Sequence, residues 1–114
     1  MSKNIGFSIT SAERYSLALF ELSEENNLLS QIEDQSSSMI NLINQSSDFR
    51  NLIKDPTISQ EDLSNTINKI VENYKFDILF KNFLNFLIQK KRFFFIERIL
   101  KSFVEICSRR RGEL

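Results

Sequence analysis

The sequence contains no histidine, no tryptophan, one cysteine, one proline and two glycines in 114 residues. Histidine is the usual general base and a common zinc ligand, so its absence argues against both kinds of site. The single cysteine, Cys107, excludes an internal disulfide and is typical of a protein from a reducing compartment. Because helix breakers are scarce, helices can form with few interruptions.

Long apolar runs and an excess of charge of one sign are also missing. No run reaches the ~18–20 apolar residues that cross a bilayer, and the start MSKNIGFSIT has no secretory signal pattern. Fifteen basic and fifteen acidic residues cancel, so the chain has no general electrostatic reason to bind nucleic acid or anionic lipid. We expect one soluble, intracellular, all-α domain without direct membrane insertion.

Catalytic motifs are absent as well. There is no phosphate-binding GxxxxGK[ST], no GxGxxG and no paired-carboxylate motif, so no cofactor or metal is expected. The Arg residues that follow Cys107 could lower the pKa of its thiol. However, no second catalytic group accompanies it, and we interpret Cys107 as a small core residue. We expect that the chain is not an enzyme.

Apolar spacing and capping signals predict a compact six-helix bundle with short loops. Helix starts are marked by Thr10 with Glu13, by Ser46, and by Ser59 with Asp62, while Pro56 stops the third helix. Asn26 and Asn27 are expected to end the first helix and to cap the second. The predicted helices cover residues 11–25, 28–45, 47–54, 60–73, 76–90 and 92–109.

The helix predicted over residues 76–90 is apolar on most of its circumference. Phe76, Phe80 and Leu84 lie on one face, whereas Leu79 and Phe86 belong to a second. Such a helix is usually central in a bundle. Alternatively, one face meets the core and the other forms an open groove for a partner helix. The first helix also has more apolar surface than one core contact uses.

The order of these elements resembles the delta subunit of ATP synthase, called the oligomycin-sensitivity-conferring protein in mitochondria, in its N-terminal domain. AERYSLALF at residues 12–20 is similar to the opening signature of the family, and DPTIS at 55–59 is similar to its Asn-Pro-x-Ile-Ser link. SDFRNLI at 47–53, FLNFL at 83–87, Arg92 and the Arg-Gly junction at 110–112 are also similar. The likeness is collinear over residues 9–112.

Two positions depart from the family pattern. Lys90-Lys91-Arg92 stands where the family often has Asn-Gly-Arg. If Lys91 takes the left-handed conformation, the cost is about 1 kcal/mol. Ser16 replaces the usual Ala after Tyr15, and its hydroxyl can bond back to the carbonyls of its own helix.

The resemblance implies a non-catalytic stator subunit of a proton-translocating ATP synthase. In the family, helices 1 and 5 form an apolar groove that binds the amphipathic N-terminal helix of an alpha subunit. A following C-terminal domain binds the b subunit of the peripheral stalk. We therefore expect a flexible arm at 1–9, a bundle at 10–109, and the start of a linker at 110–114. We also expect a peripheral position on the cytoplasmic face of the inner membrane.

By position in the family, Tyr15, Ala18 and Phe86 are expected to line the groove. Helical geometry adds a further set: Leu19, Leu22, Leu79, Asn82 and Phe83. For Leu19, Leu79 and Phe83, a plain core position remains an equal alternative.

Two other functions remain open. A small helical RNA-binding domain could use the basic triplets at 90–92 and 109–111, but these lie about 27 Å apart along the last helix. A generic adaptor, or a dimer that buries the groove against a second copy, is the other alternative.

Overall fold

The structure is a computed structural model that describes the backbone of residues 3–112 and the side chains of residues 11–112. Within these ranges it is all-α, with no strand, and short connections join its helices. Its radius of gyration, 14.0 Å, is close to the ~13 Å expected of a compact domain of this length. The predicted fold class is confirmed. The helices are α1 Lys3–Glu25, α2 Leu29–Gln45, α3 Ser47–Lys54, α4 Gln60–Tyr74, α5 Ile78–Gln89 and α6 Ile96–Arg110, preceded by a 3₁₀ turn at Phe93–Phe95.

Local capping chemistry sets several helix boundaries as predicted. The Ser46 hydroxyl accepts a hydrogen bond from the Phe49 amide at 3.1 Å, and the Ser59 hydroxyl accepts one from the Asp62 amide at 3.0 Å. These bonds satisfy amides that have no partner within the first turn of α3 and α4. Helix α3 ends at Lys54, two residues before Pro56.

Four predicted helix starts differ from the structure, whereas the predicted helix ends agree to within one residue. Helix α1 continues back to Lys3, so the start predicted at residue 11 is wrong and Thr10 lies inside the helix. Leu28, not an asparagine, is the N-cap of α2. The Asp77 carboxylate caps α5 by accepting from the Leu79 amide at 2.9 Å, which moves that start from 76 to 78. Ile96, not residue 92, begins α6.

The predicted arm and linker lie partly outside the described residues. These are residues 1–2 of the arm and residues 113–114 of the linker. The division of the chain at 9 and 109 stays a prediction.

Helix α6, rather than α5, is at the centre of the bundle. It packs against both α1 and α2, while α5 packs mainly on α4. Ile99, Leu100, Phe103 and Cys107 of α6 are completely buried. The interpretation of Cys107 as a core residue is thereby confirmed.

A serine forms part of the contact between α1 and α6. The Ser16 hydroxyl lies 2.8 Å from the Ala12 carbonyl oxygen, as expected, and 2.8 Å from the carbonyl oxygen of Ile99. Its single proton is shared between the two acceptors. Ser16 is completely buried, so this polar group joins the two helices within the core.

The turn after α5 contains the left-handed residue considered above. Lys91 has φ +60°, and its amide donates to the Ile88 carbonyl at 3.0 Å. Asn27 and Lys75 also have positive φ, at +58° and +56°, just after α1 and α4. The chain thus ends three helices with a left-handed residue and uses glycine at none of these positions.

Candidate functional site

Helix α5 presents two apolar faces to different surroundings. Phe80, Leu84 and Leu87 are completely buried in the core. On the other face, Phe86 is 42% exposed and Ile78 is 65% exposed. A large apolar side chain in contact with water contributes little to stability, so this second face is not explained by the fold of the chain alone.

Helix α1 has a comparable apolar face. Leu22 is 46% exposed, Ala18 is exposed and Tyr15 is half-buried. Since α1 packs chiefly on α6 and α5 on α4, the backbones of α1 and α5 have few close approaches. The space between the two helices is a groove.

This groove has a volume of about 590 Å³ and brings together all eight residues of the predicted set. Asn26 and Ile78, which are not in that set, complete it. Asn26 follows Leu22 by four residues and Ile78 precedes Asn82 by four, so helical spacing could have identified both. The groove is lined by Tyr15, Ala18, Leu19, Leu22, Asn26, Ile78, Leu79, Asn82, Phe83 and Phe86.

Burial divides these residues between a floor and two walls. Leu19 is completely buried and Phe83 is 8% exposed, so each belongs to the core and also forms the floor. Leu79 is half-buried, while Asn82 is exposed with Phe86 on the α5 wall. Leu19 and Phe83 are therefore core residues that also line the groove, so the two alternatives do not exclude each other.

An aromatic pair lies across one end of the groove. The rings of Tyr15 and Phe86 contact edge to face, with centroids 6.2 Å apart and an angle of 64° between their planes. The Lys90 ammonium lies 5.7 Å from the centroid of the Phe86 ring, within the range of a cation–π contact. The pair links the two walls and leaves the stretch towards Leu22 and Ile78 open.

Side chains from other helices hold both ends of α5. At its start, the Asp77 amide donates to Gln35 Oε1 of α2 at 2.9 Å. At its end, Gln60 Nε2 of α4 donates to the carbonyl oxygens of Ile88 and Gln89, at 3.1 and 3.4 Å. These bonds fix the position of the α5 wall relative to the core.

The chemistry available elsewhere is limited. Among the described residues there is no group of three His, Cys, Asp or Glu side chains that could hold a metal ion. Burial, with a smaller contribution from the Glu33 carboxylate, raises the pKa of the Cys107 thiol to about 11. The arginines near Cys107 therefore do not activate it, because the thiol stays protonated at neutral pH.

The basic triplet at the end of α6 is used within the molecule. Arg109 pairs with Glu105 at 3.5 Å, and Arg111 Nη2 lies 2.9 Å from Glu33 Oε2. The Arg110 guanidinium lies over the ring of Phe20, 4.9 Å from its centroid. Since these cations have acidic or aromatic partners within the molecule, this triplet is less available to RNA than three solvated arginines would be.

A second cavity of about 590 Å³ lies near the C-terminal end of α5. Its walls come from the α3–α4 connection, the start of α4 and the 3₁₀ turn, with Asp55, Lys54 and Lys91 among them. It shares no lining residue with the groove. No helix in the described part of the chain has the length and apolar character needed to cross a membrane.

Comparisons with known proteins agree with the fold and the order of the motifs. Residues 12–114 match the family model described as ATP synthase delta (OSCP) subunit. ATP synthase subunit delta of Pelagibacter ubique is 60% identical over the whole chain, and that of Rhodospirillum rubrum is 32% identical over 90% of it.

A solved structure is similar as well. One chain of the cryo-EM structure of the Toxoplasma gondii mitochondrial ATP synthase hexamer matches with a TM-score of 0.77 and 30% identity. That match covers 81% of this chain and 51% of the other. The present chain spans 62% of the Pelagibacter protein and 55% of the Rhodospirillum protein. From the family model and the Pelagibacter relative together, the chain belongs to the ATP synthase delta (OSCP) subunit family.

Proposed function

We propose that this chain is a non-catalytic stator domain of ATP synthase whose α1–α5 groove binds the amphipathic N-terminal helix of an alpha subunit. The observation that carries the proposal is the second apolar face of α5, which lies opposite a similar face of α1. Binding would link the catalytic head to the peripheral stalk and prevent the head from turning with the rotor.

The dimensions of the groove suit one helix. From Tyr15 to Asn26 the α1 wall covers eleven residue steps, or about 16 Å at 1.5 Å per residue. This length accommodates the i, i+3 or i+4, and i+7 anchors of an amphipathic helix. The apolar floor and polar rim are the arrangement expected of a protein interface.

Individual residues have separable parts in this recognition. Phe83 on the floor and Phe86 at one end offer aromatic surface, and a few such residues often carry most of the binding energy of an interface. Tyr15 can bury its ring and keep its hydroxyl at the rim. Ala18 sets the depth of the groove, because any larger side chain at this position would fill the seat of the partner.

The proposal extends to the assembled complex. The b subunit of the peripheral stalk would bind through the part of the family's length that this chain does not cover. The domain would then lie at the cytoplasmic face of the inner membrane, as a peripheral subunit held by protein contacts.

The test is a titration of the ¹⁵N-labelled chain with a synthetic peptide of the N-terminus of the alpha subunit from the same organism. We expect saturable amide shifts concentrated in residues 11–25 and 78–90. Ala18→Asp should abolish binding, because an unpaired carboxylate in an apolar seat costs several kcal/mol.

Leu17→Asp is the matched control. Leu17 is next to Ala18 on α1, is 45% exposed and does not line the groove, so its variant should bind normally. Unchanged affinity in a folded Ala18→Asp variant would contradict the proposal, as would a dimer in sedimentation that buries the groove.

A further inference from the structure

The two ends of the groove carry opposite charges on the α1 side. Arg14 lies four residues before Ala18, whereas Glu21 and Glu25 lie three residues after Ala18 and Leu22. At these spacings each charged residue is a neighbour of a groove residue on the helix surface. All three are exposed, and none takes part in the ion pairs seen among residues 11–112.

Helix α5 strengthens the basic end. Lys90 follows Phe86 by four residues and lies over its ring. Because Phe86 contacts Tyr15, this ammonium is at the same end as Arg14. At the opposite end, Asp77 and Lys75 flank the start of α5 with charges of opposite sign, so the glutamates of α1 leave that end acidic.

The backbone dipoles of the two walls oppose each other. Tyr15 begins the groove stretch of α1 and contacts Phe86, which ends the groove stretch of α5, while Asn26 and Ile78 line the same groove. We infer from this order that the two helices run antiparallel. At the end near Leu22 and Ile78, the negative end of the α1 dipole and the positive end of the α5 dipole offset each other. At the end near Tyr15 only the negative end of α5 is close, because α1 begins at Lys3, about 18 Å before Tyr15. The full positive charges of Arg14 and Lys90 outweigh that partial charge. The charged side chains therefore distinguish the two ends of the groove for a bound helix.

We propose that the groove accepts its partner helix in one direction, with the N-terminal end beside Glu21 and Glu25 and the C-terminal end beside Arg14 and Lys90. The bound helix then runs parallel to α5 and antiparallel to α1. This inference rests on the proposed function. A helix carries positive partial charge at its N-terminus and negative at its C-terminus, so this direction pairs unlike charges at both ends.

The two ends act separately at physiological salt. Along α1, Arg14 is about 10 Å from Glu21 and about 16 Å from Glu25, so both distances exceed the Debye length of ~8 Å. Reversing the helix would therefore place like charges together at each end, with no compensation from the distant end.

Paramagnetic broadening measures the direction. The probe is the alpha-subunit N-terminal peptide with a nitroxide label at either its first or its last helical turn, added to the ¹⁵N-labelled chain. We expect the N-terminal label to broaden amides around Leu22 and Ile78, and the C-terminal label to broaden those around Tyr15 and Phe86. The reverse pattern would overturn the direction and leave the proposed function intact, whereas absence of saturable binding would overturn both.

Charge reversal provides the second measurement. The double variant Glu21→Lys with Glu25→Lys should weaken peptide binding by roughly three- to tenfold, the range for a few exposed charge contacts. The matched control is Glu13→Lys with Glu24→Lys, on the same helix but two residues away from Tyr15 and Leu22, hence turned from the groove. It should change affinity by less than about twofold. Equal weakening by both pairs would reduce the effect to net charge and overturn the inference.

Discussion

The two apolar faces of α5 have the same kinds of side chain and opposite surroundings. Phe80 is completely buried by the rest of the chain, while Phe86, six residues later, is 42% exposed. Both are phenylalanines on one rigid helix, so neither composition nor local conformation distinguishes them. The difference lies in what the other helices cover. Helix α4 and the core enclose the face that contains Phe80, whereas α1 leaves a groove over the face that contains Phe86. The sequence therefore predicts how much apolar surface must be covered. Which helix or partner covers it depends on the packing.

The largest expected effect is a difference in labelling rate between a thiol in the groove and a thiol in the core. Ala18→Cys puts a thiol in the groove, whereas Cys107 is completely buried and its pKa is raised to about 11 by burial. If Cys107 reacts only through unfolding, with a stability of at least about 5 kcal/mol, a thiol-specific dye at pH 8 should label it at least ~4,000-fold more slowly than the groove thiol. The wild-type chain supplies the Cys107 rate as an internal reference.

Two controls complete this experiment. In denaturant both thiols should label at similar rates, and the alpha-subunit peptide should protect only the groove thiol. Rapid labelling of Cys107 in the folded wild-type chain would contradict a closed core at α6.

Removal of one aromatic ring from each face should separate stability from binding. Phe80→Ala creates a cavity in the core and should lower the free energy of unfolding by about 3–5 kcal/mol. Phe86→Ala should lower it by about 1 kcal/mol or less, and should weaken peptide binding by about 2 kcal/mol if Phe86 is an anchor. Denaturant melts and calorimetric titration of the two variants measure both quantities.

The pattern of effects decides the outcome. Phe86→Ala with a large loss of stability and normal binding would assign Phe86 to the core. The distinction between the two faces of α5 would then be wrong.

Local chemistry made much of the fold predictable. Ser46, Ser59 and Pro56 set boundaries that depend on a few neighbouring residues, and these boundaries agree with the sequence-based prediction. The predicted start of α1 does not agree with the structure. The Thr10–Glu13 capping signal lies in a segment without proline, so the helix extends back through this signal to Lys3. The apolar pattern predicts that α5 starts at Phe76, but the Asp77 carboxylate caps the Leu79 amide and the helix starts at Ile78.

The groove was predictable in its membership and not in its openness. Helical spacing and the family resemblance placed eight residues on facing walls, and the same spacing could have added Asn26 and Ile78. Whether α1 and α5 touch or stand apart depends on how each packs on α6 and α4. The central position of α6 has the same origin, because periodicity describes a helix and not its neighbours.

The smallest expected effect concerns the turn that ends α5, where stability should change without any effect on the groove. Lys91 has φ +60°, a conformation that costs a residue with a side chain about 1 kcal/mol more than glycine. Lys91→Gly should therefore raise the free energy of unfolding by about 0.5–1 kcal/mol. Lys69→Gly, the same change at an exposed position inside α4, should lower it by about 1 kcal/mol.

Because Lys91 does not line the groove, peptide affinity should stay at the wild-type value, and calorimetric titration would detect any departure. A Lys91→Gly variant that is less stable than wild type would show that the lysine side chain contributes more through its contacts than its backbone conformation costs. A change in affinity would show that this turn, as well as Asp77 and Gln60, sets the position of the α5 wall.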